Sequence, residues 1–179
     1  MAIITLNNNS LSSVTALPTG VGGKVLQVVQ GTSSTEFSQS SPTNGTIYYP
    51  SSNKLSASIT PSSTSSKIII KYISTTRINH DTNTDIGIAL AVKETISGGA
   101  TTEIKPQTLA YNSGFYNSNV DSGSQYRIRL SEIIYRTPST TSAITYEVGV
   151  FGYGANSSGI HFNEDGSRGE IILMEIAGW

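Results

Sequence analysis

The sequence predicts an all-β fold: an antiparallel β-sandwich of the jelly-roll type, with about nine strands and an extended N-terminal arm. Short apolar runs, many of them alternating with polar residues, recur along most of the 179 residues. Clusters of Gly, Pro, Asn and Ser separate these runs, and no segment has a convincing helical period. A series of about eight short strands joined by polar turns is typical of a jelly roll.

Residues 1–23 are predicted to form an assembly arm, and residues 24–179 the sandwich domain. The arm combines a polar cluster, Asn7–Ser10, with the breaker-rich segment Leu17–Gly23. A segment with so little periodicity cannot bury much of itself, so we expect it to lie against a neighbouring surface. The apolar residues that would anchor it there are Ile3, Ile4, Leu6, Leu11 and Val14.

Five strands are predicted in the first half of the sandwich. The second is expected to follow a hairpin turn at Asn44-Gly45, and the fourth is apolar enough on both faces to be central. In the fifth, Ile86, Ile88, Leu90 and Val92 share one face. The predicted strands are Lys24–Gln30, Thr46–Tyr49, Lys54–Thr60, Lys67–Ser74 and Asp85–Glu94.

The second half begins with a weak strand, Glu103–Tyr111, which Pro106 assigns to a sheet edge. The polar segment Asn112–Ser124 is predicted to be a long loop. In the long strand Gln125–Arg136 the apolar face changes near Ser131, which indicates a bulge or a change of sheet. The remaining predicted strands are Ile144–Phe151, Gly159–Asn163 and Gly169–Ala177.

Composition excludes several classes of function. Charged residues are only 13% of the chain, and 11 Lys and Arg against 12 Asp and Glu give a net charge of −1. A nucleic-acid binder or a polybasic membrane-surface protein would need a basic patch. The sequence has no Cys, no apolar run of about 20 residues for a membrane span and no secretory signal at its start. We expect no cofactor.

One group of residues resembles the start of a calcium loop. Asp81, Asn83 and Asp85 place oxygen ligands at alternate positions. The EF-hand pattern then fails, because Ile86 stands where Gly is needed and Val92 where Glu is needed. A polar turn that caps its own backbone is the other interpretation.

Few residues suggest catalysis. His80 or His161 could belong to a Ser-His-Asp triad, but no G-x-S-x-G motif surrounds any serine. Glu164 and Asp165 could form the carboxylate pair of a glycosidase, although adjacent residues generally point apart. The sequence therefore predicts that the protein is not an enzyme.

Two sets of residues suggest association. The small side chains of Gly87, Ala89 and Ala91 predict close approach of another layer or subunit, and Trp179 follows the last strand with little of its own domain to cover it. Together they predict a homotrimer; the alternative is that a loop covers the small residues and that Trp179 folds back. Phe115 and Tyr116, on a polar loop, predict a recognition surface, or a pair tucked beneath that loop or into a neighbouring subunit.

Several segments resemble a known group of proteins. MAIITLNNNSLSSVTALPTGVGGKVLQVVQ, LSASITPSSTSSKIIIKY, TPSTTSAITYEVGVFG and RGEIILMEI are similar to small virion structural proteins of tailed bacteriophages, particularly marine and cyanobacterial ones, often labelled tail-fibre-like. The resemblance implies a β-sandwich displayed outside a virion, generally as a trimer, and carries no catalytic residues with it.

The predicted role is that of a capsid decoration or knob protein, anchored by its arm to the exterior of a virion after synthesis in the bacterial cytoplasm. The alternative is a tail-fibre or tail-tip component that binds the host surface, with a cell-surface glycan as a possible ligand. A polysaccharide-active enzyme is a distant third. The absence of shaft repeats favours the first role, and the expected partners are further copies of the chain and other proteins of the shell or tail.

Overall fold

The computed structural model describes residues 24–80, 84–105, 114–153 and 157–177. These residues form strands almost throughout, and the one helical element among them is a short 3₁₀ turn, Glu164–Gly166. The all-β prediction is confirmed. The strands are β1 (Val25–Ser33), β2 (Phe37–Ser40), β3 (Ile47–Tyr48), β4 (Ser56–Ile59), β5 (Lys67–His80), β6 (Thr84–Ile96), β7 (Thr101–Lys105), β8 (Phe115–Val120), β9 (Gln125–Arg136), β10 (Ile144–Tyr153), β11 (Ser157–Phe162) and β12 (Gly169–Ile176).

The strands form two sheets, which we call sheet A and sheet B. In sheet A the long strand β5 pairs with β9 along one edge and with β12 and then β11 along the other. The outer partners of β12 and β11 are β1 and β2. In sheet B, β10 pairs with β6 on one edge and with β4 and β3 on the other. The free edge of β6 pairs with β7 and β8.

This topology is that of a jelly roll. A jelly roll has eight strand positions, and in this protein four of them are each occupied by two consecutive strands. These pairs are β1 with β2, β3 with β4, β7 with β8 and β11 with β12. Counted in chain order, the eight positions then run 1-8-3-6 across sheet A and 2-7-4-5 across sheet B, and every pair is antiparallel. Such an arrangement of eight strands in two sheets is the double Greek key of jelly rolls.

The core lies between the sheets and follows from the alternation of side chains along each strand. In β5 the side chains of Ile68, Ile70 and Tyr72 are fully buried, whereas those between them face away from sheet B. In β6 the face that carries Ile86 and Ile88 is buried against them, as the sequence predicts. The sheets therefore meet through two rows of large apolar side chains.

A charged group closes one end of this core. Glu94 of sheet B is 4% exposed and accepts two hydrogen bonds from Arg136 of sheet A, from Nε at 3.1 Å and from Nη2 at 2.7 Å. The Tyr146 hydroxyl donates to the same carboxylate at 2.9 Å. Burial, together with the charge of Glu94, raises the pKa of Tyr146, so the hydroxyl stays protonated and able to donate.

Two predictions about the second half of the chain are wrong. The predicted loop Asn112–Ser124 contains the strand β8, which pairs with the edge of β6 from Thr84 to Ile88. This pairing overrides the low β-propensity of its Asn and Ser residues. The predicted change of face in β9 does not occur, since its register with β5 is continuous and its exposure alternates from end to end.

Smaller differences concern the connections. Asn44-Gly45 does lie in a turn, with the Thr46 amide bonded to the Thr43 carbonyl at 3.1 Å, but the turn joins β2 of sheet A to β3 of sheet B rather than two strands of a hairpin. Strand β2 was not predicted at all. Strand β7 lies at the predicted edge of sheet B, and the rest of its predicted range, from Pro106 onward, lies outside the described residues.

Candidate functional site

Both ends of the described chain lie at one end of the sandwich. The Ala177 amide donates to the Lys24 carbonyl at 2.9 Å, beside the paired residues Val25 and Ile176. The turn that follows β6 reaches the same end, where the Ser97 amide donates to the Ala143 carbonyl at 2.8 Å. We call this end the base. The described chain therefore both begins, at Lys24, and ends, at Ala177, at the base.

Next to the base, the outer face of sheet A carries a set of apolar side chains. Val28, Met174, Ile69 and Tyr135 are mutual partners across β1, β12, β5 and β9, so they form a single row across the sheet. We call the surface they belong to the apolar band. Its members are Val25, Leu26, Val28, Ile69, Ile133, Tyr135, Ile172 and Met174.

The apolar band is exposed in the single chain. Tyr135 is 72% exposed, Val28 59%, Ile133 52%, Val25 49% and Leu26 39%. The largest exposed apolar patch on a monomer is often functional, and patches larger than a few hundred Å² mark sites of association. Sequence reasoning missed the band, because it assigned Ile133 to a strand that turns inward. Strict alternation through β9 was the signal that would have placed Ile133 and Tyr135 outside.

The other half of the same face is charged. Glu164 follows β11 and is 2% exposed; its Oε1 atom lies 2.6 Å from Nε of Arg77 and 3.2 Å from Nε of Arg127. Nδ1 of His161 lies 2.6 Å from Oε1 of Glu36 and 3.5 Å from Oε2 of Glu164. The two arginines therefore compensate the buried carboxylate.

This charged cluster could offer three ligands to a metal ion. One atom each of Glu36, His161 and Glu164 lie within 4.8 Å of one another. Nη2 of Arg77, however, lies 3.0 Å and 2.8 Å from the two ring nitrogens of His161. A cation would have to displace this guanidinium, and Arg127 would still repel it. The arrangement favours an ion-pair network that joins β5, β9 and β11.

Of the residues considered for catalysis, His161 and Glu164 lie close together, whereas His80 does not join them. His80 is 1% exposed and belongs to the inward face of β5, whereas His161 pairs with Arg77 on the outward face. The side chains of Glu164 and Asp165 are 1% and 76% exposed. Arg127 lies 3.2 Å from the first carboxylate and 3.8 Å from the second. The two carboxylates therefore differ in exposure, and both lie near the same guanidinium.

The small residues of β6 are covered within the single chain. Ala89 and Ala91 are fully buried and pack with Phe151 on the outer face of sheet B. Gly87 on the same face is also buried. A Cβ atom on Gly114 would lie 2.7 Å from Cβ of Ala89, so the chain that leads into β8 already covers this alanine. The trimer interface assigned to these residues stays a prediction, and for Ala89 the structure provides the loop cover that was its alternative.

Phe115 and Tyr116 lie on strand β8, not on a loop. Phe115 packs against the core, with its ring centroid 5.2 Å from that of Tyr126. Tyr116 is 38% exposed, and its hydroxyl donates to Asp85 at 2.5 Å. Tyr116 is thus the member of the pair that reaches solvent, and a recognition role for either residue stays a prediction.

Other predicted site residues lie outside the described residues. They are Asp81 and Asn83 of the possible calcium loop, the arm residues Ile3, Ile4, Leu6, Leu11 and Val14, and Trp179. Within the described residues no helix is long and apolar enough to cross a membrane.

Comparison with known proteins gives only structural neighbours of low similarity. No protein-family model matches the chain, and no curated protein matches it. Among solved structures, the chain is similar to that of infectious bursal disease virus Gt strain, with 14% identity over 100% of this chain and 43% of that chain and a TM-score of 0.33. Similar values hold for the T13 particle of the same virus, with 13% identity over 99% of this chain and 40% of that chain and a TM-score of 0.37.

A third neighbour is the VP2 subviral particle of that virus, with 16% identity over 85% of this chain and 38% of that chain and a TM-score of 0.36. The chain spans less than half the length of these three proteins. TM-scores below 0.5 are too low to carry an inference about function.

Proposed function

We propose that the protein is a non-enzymatic structural protein of a virion, and that it decorates the exterior of the capsid of a tailed bacteriophage. The observation that supports the proposal is the exposed apolar band beside the base, where the described chain begins at Lys24. An apolar patch of this size is often functional, and an assembly subunit would bury it against its neighbours.

The architecture agrees with this role. Jelly rolls build viral capsid domains, but also lectins and cupins, so the fold alone does not decide the function. In this chain the space between the sheets is filled by the apolar core, and the charged cluster on sheet A is neutralised by its own arginines. These features suit display and attachment better than turnover of a substrate.

The attachment is assigned to residues 1–23, which act as the assembly arm of the protein on the particle. In the same proposal the domain is a homotrimer on the particle. A tail-fibre or tail-tip location, with loops that touch a host glycan, is the competing assignment. The two locations differ in copy number, because a shell presents hundreds of equivalent positions and a tail only a few dozen at most.

Quantitative mass spectrometry of purified particles tests the proposal. Several hundred copies per particle support capsid decoration, a few dozen or fewer transfer the protein to the tail, and absence from the particle overturns a structural role. A full-length variant with Ile3→Ser, Ile4→Ser and Leu6→Ser should fold normally and fail to enter particles. The matched control, Asn7→Ser with Asn9→Ser, should enter them as the natural chain does.

A further inference from the structure

We propose that residues 1–23 of one copy bind the apolar band of a neighbouring copy. This inference rests on the proposed assembly role of residues 1–23 and adds the surface that receives them. The band lies on the outer face of sheet A, on the side of the base where the segment begins. Lys24, to which the segment is joined, and the band are therefore on the same side of every copy.

The composition of the segment matches that of the band. Residues 1–23 contain no Asp, Glu, Lys or Arg, although they include Ile3, Ile4 and Leu6 within four positions. A segment without charged side chains loses little hydration when an apolar surface covers it. The band in turn offers a row of four apolar residues across four strands.

The exposed area of the band favours an extended segment, rather than the flat face of a second domain, as its binding partner. Its five most exposed residues are 39–72% exposed and leave roughly 400–500 Å² of side-chain surface, given about 150–250 Å² for a large side chain. A stable interface buries about 800 Å² on each partner, so two bare bands facing each other fall short. An extended strand laid across the band covers a footprint of this size and adds its own apolar area.

The segment is long enough to reach another copy. Lys24 lies 18 positions after Leu6, and an extended chain of this length spans roughly 60 Å. A compact domain of this size is about 30–40 Å across. The anchors can therefore cross from one domain to the next, and Pro18, Gly20 and Gly22 permit the chain to change direction on the way.

Disulfide trapping in the full chain tests the inference, because the sequence has no Cys and every disulfide must join introduced residues. A Thr5→Cys chain is mixed with a Ser131→Cys chain, whose exposed substitution lies on β9 beside Ile133. The matched control is a Ser58→Cys chain, with an exposed serine on β4 of sheet B. We expect at least about tenfold more Thr5–Ser131 heterodimer than Thr5–Ser58 heterodimer after equal oxidation.

Two further variants make the outcome decisive. In the Ser131→Cys chain, Ile133→Thr with Tyr135→Ser should reduce trapping to the Ser58 level, while an unchanged circular-dichroism spectrum and Tm confirm folding. Equal trapping at Ser131 and Ser58, or trapping that survives loss of the band residues, would overturn the inference. In a chain that carries both Thr5→Cys and Ser131→Cys, a cross-linked monomer as the main product in dilute solution would overturn binding between copies.

The test is independent of the proposed virion role. Trapping is measured on purified protein, whereas the role is judged by the presence of the protein in particles. A protein that enters particles but shows no selective trapping refutes only the assignment of the band. A protein that is trapped at the band but absent from particles refutes only the virion role.

Discussion

Replacement of the buried Glu175 should lower the stability of the fold. Glu175 lies on β12, is fully buried and accepts four hydrogen bonds. Its Oε1 atom accepts from the Ser62 amide at 2.7 Å, the Ser62 hydroxyl at 2.6 Å and the Ser66 hydroxyl at 2.6 Å. Its Oε2 atom accepts from Gln27 at 2.5 Å. The carboxylate thereby ties the connection between β4 and β5, which crosses from sheet B to sheet A, to strands β1 and β12.

The magnitude follows from the pKa of the carboxyl group. Burial by itself would raise this pKa, but the hydrogen bonds from Ser62, Ser66 and Gln27 outweigh burial and lower the pKa of Glu175 from 4.5 to about 2. Each pKa unit corresponds to about 1.4 kcal/mol, so the folded state favours the ionised carboxylate by about 3 kcal/mol. Glu175→Gln removes the charge and turns an amide donor toward donors, so we expect a loss of about 2–4 kcal/mol at pH 7.

The sign of the pH dependence is fixed by the lowered pKa. The stabilisation is complete above the unfolded value near 4.5 and is lost as the pH falls toward the folded value near 2. The stability difference between the natural chain and Glu175→Gln should therefore shrink to about half by pH 3. Urea unfolding followed by circular dichroism at pH 7 and pH 3 measures it.

The control is Glu170→Gln on the same strand. Glu170 lies on the outer face and accepts one exposed hydrogen bond, from Gln30 at 2.7 Å, so its replacement should change stability by less than about 0.5 kcal/mol. A Glu175→Gln variant that loses less than about 1 kcal/mol at pH 7 would refute the reasoning. So would a difference that is the same at pH 7 and pH 3.

Two further predictions concern the packing of the two sheets. Arg136→Met leaves the Glu94 carboxylate buried without its guanidinium, so the free energy of unfolding in urea should fall by about 2–3 kcal/mol. Adding Glu94→Gln should restore part of that loss, because the buried charge is removed and Tyr146 keeps an acceptor. Losses of the two substitutions that simply add would contradict this prediction. Gly31→Ala places a Cβ 1.9 Å from the Ser56 carbonyl oxygen, a backbone atom that cannot rotate away, so we expect a loss of about 2–3 kcal/mol and a Tm lower by roughly 5–10 °C. Gly159→Ala, whose Cβ would meet nothing closer than 3.5 Å, should be nearly neutral, and equal effects of the two substitutions would show that the close approach at Gly31 does not matter.

The parts of the fold that could be predicted are those in which one strand has one buried face. The alternation of Ile86, Ile88, Leu90 and Val92 identifies the inward side of β6 without knowledge of any partner. The local sequence of β8 carries no such signal, because its pairing with the edge of β6 determines its conformation.

The candidate surface could not be predicted for a related reason. Alternation in β9 can place Ile133 and Tyr135 on one face, but only the register with β5 and β12 shows that the partners of Tyr135 are apolar and that Ile133 lies opposite Lys71. The charged cluster likewise joins Arg77, Arg127 and Glu164 from three distant parts of the chain. Neither set has a spacing in the sequence that indicates contact.

The two ends of the sandwich differ, because the described chain begins and ends at only one of them. Lys24 and Ala177 meet at the base, beside the apolar band. At the opposite end, β5 leads into β6 through residues 81–83, and the turn before β9 is held by the Gly123 amide, which donates to the His80 carbonyl at 2.7 Å. An assembly contact made by the arm and the band would bury the base side and leave this opposite end facing outward. If the proposed contact forms, the band would also determine which loops remain available to a second partner.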